Sequence, residues 1–201
     1  AGLAAQFGAF VQGYSKLAVK ITAAGAKGST IKSYKTTLQG ATHNTASFTS
    51  AVLSGSGTLA MVTTVTDSRG RGASRTTNVT VLAYTPPHAS EFVAYRCDEN
   101  GAAQADGVYL HLTFVYDVAL LGNKNTAAMV IDYKRTTATG WTVLQRSSSL
   151  EGSGIMLITN TTFSTDYQFD VRMTVTDYFG KSTSYTVRLP TGAAGSLPVL
   201  R

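Results

Sequence analysis

Thr64-Val65-Thr66-Asp67-Ser68-Arg69-Gly70 decides the fold, because it returns once, as Thr174-Val175-Thr176-Asp177-Tyr178-Phe179-Gly180. Each copy alternates side-chain character into an aspartate, turns over four residues and ends on glycine, after which alternation resumes to Leu82 or to Leu189. That pattern predicts a β-hairpin. Aspartate accepts bonds from backbone amides just ahead of it, and glycine supplies a positive φ without steric cost.

Working outward, a second pair of segments keeps the same order. Ile31-Lys32-Ser33-Tyr34-Lys35-Thr36-Thr37 matches Val130-Ile131-Asp132-Tyr133-Lys134-Arg135-Thr136-Thr137 at nearly the same distance ahead of each hairpin. Two anchors in one order mark an internal repeat at domain spacing. Two copies are too few for a solenoid, so the expectation is two tandem all-β domains, each the size of one β-sandwich. Tyr84-Thr85-Pro86-Pro87-His88 supplies the joint, since paired prolines remove two amide donors and bias Thr85 to extended backbone. The predicted division is residues 1–85, residues 86–190, and a Gly/Ala-rich linker over 191–201. Seven strands are expected in the second domain. In the first, strands are expected at Lys16 to Thr22, Thr30 to Leu38, Ala46 to Val52 and across the hairpin.

Composition agrees. Nineteen Gly, ten Tyr and abundant Thr favour turns and pleated strands over helices. Cys97 is the only cysteine, which excludes an internal disulfide and leaves a small buried strand side chain as its role. Ala1 to Val11 is apolar but lacks a basic start and is too short to span a bilayer, so membrane insertion is not expected. The sequence reads as a piece of a longer protein. The net charge of +6 is unevenly held: up to Pro87 eight Lys/Arg face one acid, Asp67, for a net +7, whereas from His88 onward nine face ten acids, for −1. The basic character belongs to the first domain alone.

Tyr167-x-Phe169-x-Val171-x-Met173-x-Val175-x-Asp177-x-x-Gly180 resembles the sixth strand of fibronectin type III domains, including the tyrosine whose hydroxyl caps the corner between strands. Ile31-x-x-Tyr34 resembles the third strand of that fold and Leu17-x-Val19-x-Ile21 the second, while Gly57 stands where the first repeat would carry the tyrosine. The resemblance implies two tandem immunoglobulin/fibronectin-III-like β-sandwiches. A narrower resemblance rests on Val65-Thr66-Asp67-Ser68-Arg69-Gly70-Arg71, Val79-x-Val81-Leu82-Ala83-Tyr84-x-Pro86-Pro87, Tyr95-Arg96-Cys97 and Asp106-Gly107-x-Tyr109. In that order they resemble the tandem immunoglobulin-like region of phage or prophage minor structural, tail-associated proteins. It implies a non-enzymatic spacer in a virion tail, with other tail proteins as partners and a role in host attachment; the alternative is a carbohydrate-binding or adhesive module.

Candidate sites follow from residue chemistry. Asp98, Glu99, Asn100 and Asp106 form the densest oxygen cluster, and hard cations such as calcium take six to eight oxygens. Their spacing is not that of an EF-hand, and a solvated turn is the competing reading. Trp141 with Tyr133 offers an aromatic face for a surface glycan, against the plainer role of filling or edging the core. Lys32, Lys35, Arg69 and Arg71 represent the basic field of the first domain, which suits an acidic partner domain or an anionic cell-wall polymer, against the plainer and leading reading of a solvated face. No aromatics interleave with these cations, which argues against nucleic acid. His43, His88 and His111 have no metal-ligand spacing.

Overall fold

The computed structural model describes residues 2–192. The expected linker over 191–201 therefore lies, from residue 193 on, outside the described residues. The protein is nearly all β, and the one helix among the described residues is α1 (Gly2–Phe7). No helix there is long and apolar enough to cross a membrane. The described residues fall into two compact units: those up to Tyr84 together with Leu121–Lys124, and Thr85–Leu120 together with those from Asn125 on.

In the first unit, β1 (Phe10–Val11), β7 (Gly72–Leu82), β6 (Gly57–Asp67), β3 (Ile31–Leu38) and β4 (Ala41–His43) form one sheet in that order. Only β1 runs parallel to its neighbour. A second, two-stranded sheet pairs β2 (Ala18–Lys20) with β5 (Ser47–Thr49). Both are shorter than their alternation predicts, and β4 occupies a polar stretch where no strand was expected. Buried Leu38, Leu53, Met61, Val79 and Val81 form the core.

The second unit has the expected seven strands. One sheet has the order β11 (Thr142–Ser147), β10 (Ala127–Arg135), β13 (Phe169–Asp177), β14 (Ser182–Leu189); the other is β12 (Glu151–Ile158), β9 (Tyr109–Asp117), β8 (His88–Cys97). All pairs are antiparallel. Period-2 alternation sends Phe169, Val171, Met173 and Val175 of β13 inward, where they share one buried cluster with Leu110, Leu112, Phe114 and Tyr116 of β9. Phe163, fully buried in the loop before β13, meets the Phe169 ring edge-on at 5.3 Å.

The two hairpin turns are the same object. The Asp67 carboxylate accepts from the amides of Arg69 (3.0 Å) and Arg71 (2.9 Å), and the Asp177 carboxylate from those of Phe179 and Lys181 (both 2.9 Å). Gly70 and Gly180 donate to the aspartate carbonyls at 3.0 Å, with φ of 78° and 71°. A side chain at either glycine would have to enter the left-handed region, which favours glycine.

The expected tyrosine corner is not built. Tyr167 is 44% exposed, and its ring lies under the Arg135 guanidinium, 3.8 Å from Cζ to the ring centroid. Arg96 closes that end instead. It is 4% exposed, and its guanidinium donates to the carbonyls of Pro190 (2.9 Å), Gly107 (3.1 Å), Phe163 (2.6 Å), Ser164 (3.1 Å) and Tyr167 (3.0 Å). Arginine has five N–H donors in a rigid fork, so all of them are used. One side chain thereby ties three separate stretches of chain to its own strand β8, whereas a phenol has a single hydrogen to give. Burial pulls the Arg96 guanidinium down from its usual range, opposed by the Asp106 charge. Gly107 must come close for this, since a Cβ there would overlap the backbone of Cys97. Cys97 itself is fully buried, and burial pushes its thiol up, an inert setting.

Candidate functional site

The outer face of the sheet β11-β10-β13-β14 carries the densest set of interacting charges. Register places Asp132 of β10 opposite Arg172 of β13, and Asp170 of β13 opposite Arg188 of β14. Arg172 donates to both Asp132 oxygens, at 3.0 and 2.7 Å, and Arg188 donates to Asp170 at 2.9 Å. These bonds raise both guanidinium groups above their usual value. Trp141 precedes β11 and lies on the same face, its ring 3.8 Å from Arg172 Cζ and 5.2 Å from Lys134 Nζ. The indole is half-buried against cations, and does not fill the core. Tyr133, its proposed companion, points inward, meeting Phe163 at 4.9 Å. The sequence joined Trp141 and Tyr133 because they are near in the chain; alternation along β10 puts Tyr133 and Lys134 on opposite faces.

Beside this face, a groove of about 530 Å³ is lined by Tyr133, Lys134, Arg135, Thr142, Thr162 and Ser164, among others. It presents two cations and three hydroxyls against an aromatic wall. Such a lining can orient an anionic or hydroxyl-rich ligand by hydrogen bonds while the ring covers its apolar face.

The first unit's candidates separate into two groups. Arg69 and Arg71 lie at the hairpin tip and are engaged locally: Arg69 donates to the Lys27 carbonyl at 2.9 Å, and Arg71 to Asp67, Ser29 and the Ala26 carbonyl. Asp67, receiving the Arg71 amide first and also the guanidinium, is lowered from the usual 3.8 to about 2 although desolvation opposes the shift. These arginines fasten the turn to residues 26–29. Lys32 and Lys35 are exposed on β3. Lys32 is the extra residue of a bulge, because Ile31 opposes Asp67 while Ser33 opposes Thr66.

In the loop after β8, Asp98 accepts from the amides of Asn100 and Ala102, both at 2.9 Å, so its carboxylate holds a turn. Among the described residues, no three His, Cys, Asp or Glu side chains converge as a metal site, so Asp98, Glu99 and Asp106 are not brought together. The histidines are dispersed: His43 stacks on Phe48 at 3.9 Å, His88 meets Asp117 at 3.3 Å and His111 stacks on Tyr95 at 4.6 Å. Arg96 was missed as a structural centre. A signal was present, since it shares alternation parity with Phe92 and Ala94, which face the core.

The family model for siphovirus proteins of unknown function (DUF859) matches residues 4–194 of the chain. No curated protein matches it.

Proposed function

We propose, because the chain belongs to this siphovirus protein family, that it is a non-enzymatic structural module: two tandem immunoglobulin/fibronectin-III-like sandwiches spacing other parts of a phage tail or tail-fibre component. The observation that carries the reading is the repeated order β4-β3-β6-β7 and β11-β10-β13-β14, each sheet closed by the same Asp-x-x-Gly hairpin. A sheet order used twice in tandem, with a separate core behind each copy, suits a part whose task is reach and spacing. The order β12-β9-β8 opposite β11-β10-β13-β14 is that of a fibronectin type III domain, which supports the finer fold. Attachment to the host surface goes with the basic first unit, whose exposed Lys32 and Lys35 suit an anionic wall polymer or an acidic virion protein.

The groove beside Tyr133 and Arg135 favours, as a second reading, a carbohydrate-binding module. The Trp141 ring speaks less for it, because Arg172 already lies over the indole. Immunogold labelling of intact phage with antibody to this chain is expected to decorate tails. Label absent from purified virions would overturn the structural reading, and saturable binding of a neutral glycan at the Tyr133 groove would establish the second.

A further inference from the structure

We infer that the first unit takes an extended, acidic segment of another protein, added as a strand to the free edge of β2 and seated in the groove between β2 and β7. In the second unit, β9 lies between β12 and β8, paired on both sides. Its counterpart β2 has β5 on one side only. The chain ahead of β2 goes instead to β1, two residues long and parallel to β7. One repeat therefore supplies its own third strand to this sheet, and the other leaves the position open.

Backbone polarity at that edge follows from register. The Leu17 carbonyl accepts from the Ser50 amide and the Ile21 amide donates to the Ala46 carbonyl, while Val19 opposes Phe48. Alternate residues turn their N–H and C=O to opposite sides. Those of Ala18 and Lys20 consequently face away from β5, and no partner strand meets them among the described residues. An unpaired row of donors and acceptors is a template for another strand.

The edge borders a groove of about 620 Å³ whose apolar lining includes Phe10, Leu17, Val19, Met61 and Val79. A second groove, about 300 Å³, shares Val19, Lys20, Met61, Arg75 and Thr77 with it and extends the same floor towards Ala73. Phe10, Leu17 and Val19 are only half-buried, so a strand laid here would complete their burial. The second unit shows the filled form: β8 pairs with β9 while Ala89 and Ala94 enter the core.

Charge selects the occupant. Lys20 and Arg75 line both grooves, and Asp67, the sole carboxylate of the first 84 residues, is held by Arg71. A segment alternating apolar residues with Glu or Asp would place one row in the groove and the other near these cations.

The test is amide NMR of the full chain titrated with a synthetic octapeptide of alternating valine and glutamate. Shifts are expected at Ala18, Lys20, Met61 and Arg75, with binding weakened by salt and by about tenfold or more when lysine replaces glutamate. N-methylation of every second peptide residue should abolish binding in one phase of the alternation and spare it in the other, because only one edge of the peptide meets β2. Ala18→Pro, at an edge position that tolerates proline, should remove the outward amide and weaken binding while β5 stays paired. The proposal is overturned by no shift at millimolar peptide, by equal binding of the lysine peptide, or by equal effects of the two N-methylation phases. Concentration-dependent shifts at Ala18 and Lys20 without peptide would overturn it in favour of a second copy of this chain.

Discussion

The two units share a turn and differ in what stands behind it. Hairpins β6–β7 and β13–β14 carry matching aspartate and glycine bonds to within 0.1 Å. Behind the second, seventeen buried residues form one core cluster; behind the first there are five among the described residues. One cause lies in the register of the ladders. Referred to Asp67 and Asp177, Tyr34 corresponds to Met129 and not, as the matched segments implied, to Tyr133 four residues on. On the same register the inward pair Ile131–Met173 of the second unit is replaced by Thr36–Thr63 in the first, whose hydroxyls bond each other at 3.0 Å. A hydroxyl pair satisfies itself but contributes little burial. The other cause is the short second sheet of β2 and β5. Turn chemistry is local and survives duplication, while core content is set by distant strands and is free to diverge.

The largest break expected in this comparison is at Arg96. Arg96→Met would take the guanidinium donors from five carbonyls at one end of the second unit, of which the Ser164 carbonyl keeps the Tyr167 amide, and should destabilise that unit by about 3–5 kcal/mol in denaturant unfolding. Arg96→Lys should recover little of it, with three donors on a point charge in place of a five-donor fork. The first unit's transition should not move with either variant.

Next in size is the threonine pair. Thr63→Val strands the Thr36 hydroxyl, which is fully buried, and should cost about 1–2 kcal/mol in the first unit. The double variant Thr36→Val, Thr63→Val removes both polar partners and should restore stability to near the starting value. Equal losses in single and double variants would show that this pair does not account for the difference between the cores.

A smaller effect is expected at Trp141. Trp141→Leu removes the ring over Arg172 but leaves the bidentate Arg172–Asp132 bond, so the second unit should lose about 0.5–1 kcal/mol. The Asp67 carboxylate gives the finest comparison. Its folded value, about 2, lies below the ordinary 3.8, so the stabilisation is present above pH 4 and fades as pH falls through 2. A carboxyl chemical-shift titration should find Asp67 ionised at pH 3, and Asp67→Asn should abolish that part of the acid dependence.

Much of the fold was legible because its signals are short in range. Alternation found the second unit's seven strands, although β8 and β12 each begin three residues ahead of the starts expected at Glu91 and Gly154, and the Asp-x-x-Gly repeat identified both hairpins. β4 was hidden because Ala41-Thr42-His43 lacks an apolar row, and β2 was overdrawn at its ends, since beyond Leu17 and Ile21, whose backbone still bonds Ser50 and Ala46, the ladder stops. The site was less legible. Trp141, Asp132 and Arg172 come together only through register across β10 and β13, and the exchange of a tyrosine corner for Arg96 depends on four chain stretches meeting at one end. Charge asymmetry was readable by count, yet counting did not show that Arg69 and Arg71 are committed to their own turn while Lys32 and Lys35 face outward.

What divides the two units most sharply is the sheet edge that one repeat closes and the other leaves open. Residue-resolved hydrogen exchange measures it directly. The amides of Leu110 to Tyr116 in β9, paired on both sides, should all be protected, whereas in β2 Val19 should be protected and Ala18 and Lys20 should exchange at close to the rate of exposed backbone. Protection of Ala18 and Lys20 matching that of β9, in dilute protein without a partner, would contradict the open edge at β2.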